Sequence, residues 1–183
     1  MKKILLSSLL SILLILSAGC SDNSYISNPE TQGIKAWLQL QKNSNDNSLE
    51  KSYVFSEVIN GAEGGELEFA KEKKNFAFEG ALNIYAGAFD GNEVISAKVN
   101  AKKAYIDFEP SPFTFAIPAK LDFVLEGVDL SNVQVEEIQF GYFGADNNFV
   151  PAEYDEISIN VEDGKLIVKG AKIDHFSRYG WTR

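Results

Sequence analysis

From Tyr53 onward, apolar residues recur at every second position. Leu67 and Phe69, Phe76 and Phe78, and Leu82 and Ile84 are spaced this way. So are Phe113, Phe115 and Ile117, then Leu121, Phe123 and Leu125. Ile138, Phe140 and Tyr142 continue the series, followed by Ile157, Ile159 and Val161, then Leu166 and Val168. A period of two marks strands that bury one face. Earlier, Ile34, Ala36, Leu38 and Leu40 alternate against Lys35, Trp37, Gln39 and Gln41 and predict a first strand, followed by a polar loop over Lys42–Ser48. Turn chemistry separates the strands: Gly64-Gly65, Asp90-Gly91-Asn92, Pro110-Ser111-Pro112, Asp146-Asn147-Asn148 and Asp163-Gly164. The last of these reads as a tight hairpin, because Asp-Gly supplies positive φ. No helical period interrupts the series. The expected fold is all-β, an antiparallel β-sandwich, with Phe78, Leu82, Ile106, Phe115, Phe123, Phe140, Ile159 and Val168 in its core.

The first twenty residues follow a different rule. Lys2 and Lys3 precede an apolar run from Ile4 to Leu16, and Ser17-Ala18-Gly19-Cys20 closes it. This is the layout of a secretory signal, and the run is shorter than the ~20 residues a membrane span requires. Cys20, the chain's one cysteine, stands where the lipobox of bacterial lipoproteins places its acylated residue. The segment resembles that motif, with Ser17 in place of the usual aliphatic residue. The resemblance implies a signal peptide over 1–19 and a lipidated Cys20; the polar stretch with Asn28-Pro29 and Gly33 reads as a flexible tether over 20–33, and the period-two series as a β-sandwich domain over 34–183. The lipobox resemblance also implies attachment to the bacterial cell envelope membrane through palmitate-type chains. In an envelope with two membranes, Ser21 after the cysteine points to the outer one. Two or more acyl chains anchor stably, each buried methylene contributing about 0.8 kcal/mol.

Charge narrows the partners. The chain carries 17 basic and 26 acidic side chains, a net charge of −9. Without Lys2 and Lys3 the balance is 15 against 26, or −11. So acidic a surface argues against nucleic acid, which needs a basic patch, and against electrostatic attachment to anionic lipid. A single histidine excludes multi-histidine metal sites. No cofactor motif is present.

Several segments from Gly64 to Ser177 resemble the ZU-five domain, the β-sandwich module of ankyrins, netrin receptors and death-domain scaffolds. They are Gly64-Gly65, Phe78-Glu79-Gly80-Ala81-Leu82 and Ala104-Tyr105-Ile106-Asp107-Phe108-Glu109-Pro110. Phe115, Pro118 and Leu121 follow, and the stretch ends in Lys172-Ile173-Asp174-His175-Phe176-Ser177. The resemblance implies a sandwich and an interaction or scaffold role. Some members with a His-Phe-Ser triplet cut their own chain before the serine. Here that would be Ser177 Oγ attacking the Phe176 carbonyl, with His175 as base. In a regular strand, residues 175 and 177 stand about 6.6–7 Å apart, whereas a base must approach within about 2.6–3.2 Å. The triplet is therefore expected to be a structural strand end, with Ile173, His175 and Ser177 on one face and Phe176 plugging the other. No catalytic residue is assigned.

Two further groups are candidates. Asp90-Gly91-Asn92-Glu93 and Asp146-Asn147-Asn148 offer oxygen ligands for Ca²⁺, but they match turns better than any calcium loop. Tyr142, Phe143, Tyr179 and Trp181 are candidates for an exposed platform for sugar or peptide, with core packing the commoner fate. The sequence thus predicts a non-enzymatic binding or structural module. Self-cleavage at Phe176–Ser177 and glycan or peptide binding are its alternatives.

Overall fold

Among the described residues the alternation resolves into eleven strands in two antiparallel sheets. A computed structural model describes residues 35–41 and 52–183. The signal segment 1–19, Cys20, the tether 20–33 and the polar loop Lys42–Ser48 lie outside the described residues. The strands are β1 (Ser52–Asn60), β2 (Gly65–Glu72), β3 (Ala77–Ile84), β4 (Asn92–Asn100), β5 (Tyr105–Glu109), β6 (Phe113–Glu126), β7 (Gln139–Phe143), β8 (Phe149–Pro151), β9 (Glu156–Asn160), β10 (Lys165–Phe176) and β11 (Arg178–Thr182). One 3₁₀ turn, Val135–Glu137, precedes β7. A six-stranded sheet runs β1-β4-β5-β11-β7-β8 and a five-stranded sheet β2-β3-β6-β10-β9. Packed face to face, they form the expected β-sandwich.

Both sheets turn their apolar row inward. Ile95, Ala97, Val99, Ile106, Phe108 and Phe140 come from the first sheet, and Phe69, Phe78, Leu82, Phe123, Leu125 and Val168 from the second; all are buried. Of the predicted core, Ile159 alone is only partly buried, because β9 is the outer strand of its sheet. The Asp163-Gly164 hairpin is present, but β9 and β10 pair first at Asn160–Lys165, so the loop has four residues and Gly164 alone takes positive φ.

Two irregularities re-aim side chains. In β6, five residue steps from Thr114 to Ala119 face only two in β10, from His175 to Ile173. The extra length holds Pro118, whose missing N–H is tolerated at such a bulge. It also turns Ile117 outward to 43 % exposure, against its alternation with buried Phe115. In β10 one extra residue falls between Val168 and Ala171. Gly170 there takes φ +62°, a left-handed conformation that only glycine adopts cheaply. Its N–H donates to the Asp122 carboxylate at 2.7 Å, and its carbonyl accepts from the Lys120 ammonium at 2.8 Å.

The predicted strand over 34–41 is not continuous. Residues 35–41 make isolated bridges at Trp37, Gln39 and Leu40. The Ala36 and Leu38 N–H groups donate to the Arg183 and Trp181 carbonyls, Leu40 N–H to that of Lys102 and Gln41 N–H to that of Gly127. The segment spends its bonds on three different stretches, so no regular ladder forms.

Candidate functional site

His175, Phe176 and Ser177 stand at a corner rather than within one strand. β10 belongs to the five-stranded sheet and ends at Phe176; β11 belongs to the six-stranded sheet and begins at Arg178. Ser177 is the bend between them. The expected single strand across residues 173–178, with Ile173 and Phe176 on opposite faces, is therefore corrected. The register shift between Ile173 and His175 breaks the alternation, and both Ile173 and Phe176 are buried. Sandwich corners are commonly made by such sheet-switching bends. The regular-strand separation of base and nucleophile does not apply at a bend.

What holds the corner is packing and backbone bonding. The Phe176 ring is 2 % exposed. It stacks on Phe108 and Phe113 at 5.7 and 5.3 Å and meets Phe115 edge-on at 4.9 Å. His175 sets its ring edge-on to Tyr142 at 4.7 Å. Three successive carbonyls are each engaged. That of His175 accepts from the Tyr179 hydroxyl at 3.1 Å, that of Phe176 from the Ser111 hydroxyl at 3.3 Å, and that of Ser177 from the Phe108 N–H at 3.1 Å. Arg178 then pairs with Asp107 across the strands at 2.6 Å. Burial pushes the Tyr179 phenol well above its ordinary pKa. These contacts fix a bent chain, and they use Ser111, which the sequence marked only as part of a turn.

Of the candidates for an aromatic platform, Tyr179 and Trp181 take the commoner fate of core packing. Tyr179 and Trp181 are buried, at 1 % and 0 % exposure. They point inward with their neighbours across the ladder, Ile106 and Phe140. Tyr142 packs on Tyr179 at 5.1 Å. Phe143 alone joins a row on the opposite, outward face. Successive ring centres run from Tyr105 to Trp37 (5.5 Å), to Phe143 (4.9 Å) and to Phe149 (5.5 Å), and all four rings are half-buried. Cations flank the row: the Arg178 guanidinium lies 4.2 Å from the Tyr105 ring centre, and the Lys35 ammonium 6.0 Å from that of Phe149. Gly141 makes room for it, since a Cβ there would meet the Phe149 ring at 2.8 Å.

The sequence carried one signal for this row. Trp37 and Tyr105 stand at the outward-phase positions of their segments, where a large ring serves no core. What it did not show is that β11 lies between β5 and β7 and so gathers rings from four separate stretches.

The acidic turns act as turns. The Asp146 carboxylate accepts from the Asn148 N–H at 3.0 Å, and this bond, together with that from the Asn148 amide, holds its pKa below the usual carboxylate value. Gly91, at φ +81°, leads into β4 and accepts the Gly61 N–H at 2.8 Å. Among the described residues, no three His, Cys, Asp or Glu side chains gather as a metal site, and no helix is long and apolar enough to cross a membrane. Comparison with protein-family models, with curated proteins and with solved structures finds no match.

Proposed function

We propose that this chain is a lipid-anchored protein of the bacterial cell envelope, held through Cys20, that works by binding rather than by catalysis. Its ligand surface is the row Tyr105–Trp37–Phe143–Phe149, and the ligand class is carbohydrate. The observation that carries this reading is four half-buried rings on the outward face of a sheet whose core is already complete without them. Aromatic rings at a surface offer an apolar face in a wet setting, and the C–H faces of a pyranose are its natural complement. Arg178 and Lys35, beside the end rings, add hydrogen-bond donors for sugar hydroxyls or carboxylates. The ZU-five resemblance supports the same role, since that module mostly serves interaction.

The test is a glycan array probed with the full chain in non-ionic detergent, alongside Trp37→Ala and Phe149→Ala variants of unchanged circular dichroism. Retention of a glycan by the parent and its loss in both variants is the expected result. If no glycan is retained, or the variants retain it equally, the aromatic row is not the ligand surface.

A further inference from the structure

Among the described residues, three of the four sheet edges carry features that keep other chains off. β8 has three residues and ends in Pro151. β9 has five and begins at Glu156, which pairs with Lys169 at 3.1 Å. β2 presents Glu66, Glu68, Lys71 and Glu72. β1 differs. It is nine residues long, holds neither proline nor lysine, and carries Glu57 as its one charge. Its outward row exposes Val54 and Val58 at 62 % and 64 %, beside Val94 of β4 at 57 %. Its other row borders a groove between β1 and β2 lined by Phe55, Ser56, Glu57, Glu66, Leu67 and Glu68. Among the described residues these three carboxylates have no ion-pair partner. Cations already settle along this row: the Lys71 and Lys73 ammonium groups lie 5.8 and 6.0 Å from the Tyr53 ring centre.

We infer that β1 is a docking edge for an extended segment of another protein in which apolar and basic residues alternate. The segment adds a strand to the six-stranded sheet through main-chain hydrogen bonds. Its apolar row lies beside Val54 and Val58, repeating the Val58–Val94 pairing already present across β1 and β4. Its basic row enters the groove of Glu57, Glu66 and Glu68. A second copy of this chain is the wrong occupant, because pairing β1 with itself brings two such carboxylate groups together on chains of net charge −9. This edge is separate from the aromatic row and stands or falls independently of it.

The probe is a nine-residue peptide of alternating valine and lysine, labelled with fluorescein and titrated at low salt into the full chain in non-ionic detergent. Anisotropy reports binding, and amide hydrogen exchange reports where. We expect saturable binding, slowed exchange within Ser52–Asn60, and affinity about tenfold weaker or less in a Glu57→Lys/Glu68→Lys double variant. Both side chains are exposed, so the folded state survives the reversal, and circular dichroism checks it. The inference is overturned by absence of binding up to millimolar peptide, or by equal binding of a peptide with the same residues in two blocks, which reports charge attraction alone. Protection on another strand, undiminished binding by the double variant, equal binding of a valine–glutamate peptide, or a β1-protected dimer of the free chain overturns it as well.

Discussion

Phe176→Ala tests whether the His-Phe-Ser corner is architecture. The ring is 2 % exposed and wedged among Phe108, Phe113 and Phe115. Its removal forfeits the transfer energy of a buried phenyl group and opens a cavity at the seam of two sheets. Such truncations cost about 3–5 kcal/mol, and each lost ring pair adds to area burial by about 0.5–1.5 kcal/mol within that figure. Domains of this kind have about 5–15 kcal/mol in all. The assay is urea unfolding followed by tryptophan fluorescence, since Trp181 is fully buried beside Phe140. With a slope of about 1–3 kcal/mol per molar urea, the midpoint should fall on the order of 2 M. Phe176→Leu, which keeps most of the volume, should fall by less than half as much. Neighbouring His175→Ala removes a half-buried ring and should cost about 1 kcal/mol or less. A Phe176→Ala midpoint within about 0.3 M of the parent, with Phe78→Ala behaving as a core truncation, would refute the account of the corner.

The chain should stay intact: a fragment Ser177–Arg183 in denaturing mass spectra of the parent, absent from Ser177→Ala, would make self-cleavage the leading function. Stability should hold up to about pH 10 and then fall, because the unfolded state loses its tyrosine protons while buried Tyr179 keeps its own. Tyr179→Phe should flatten that fall, and an unchanged slope would show that the phenol is not the titrating group. Gly170→Ala should cost about 1–3 kcal/mol for its left-handed backbone, and thermal unfolding no lower than the parent's would contradict the bulge. Cys20→Ala should move the chain out of the detergent phase on phase partitioning; a variant that still partitions like the parent would remove the lipid anchor.

How much of this was legible depends on what each residue's partner is. Phe78, Leu82 and Phe123 could be read as core because alternation and turn residues are local properties. The inward turn of Tyr179 and Trp181 could not, since alternation puts both on one face without saying which. That face was decided by Ile106 and Phe140, on strands distant in sequence. Ile117 was misread because the β6 bulge shows only against β10. The corner at Ser177 left no local mark: β10 and β11 are separated by one residue and join different sheets. The aromatic row was half legible, with Trp37 visibly out of phase with its apolar neighbours.

The bonds between residues 36 and 183 bear on the order of events during folding. Ala36 and Arg183 exchange two backbone hydrogen bonds, and Leu38 N–H reaches the Trp181 carbonyl. The lane beside β11 at that end is therefore filled only by a pairing that closes the span from residue 36 to residue 183. Loop closure over such a span is slow compared with local pairing. Completion of the domain thus waits on this long closure rather than on any hairpin, and the segment over 35–41 docks late.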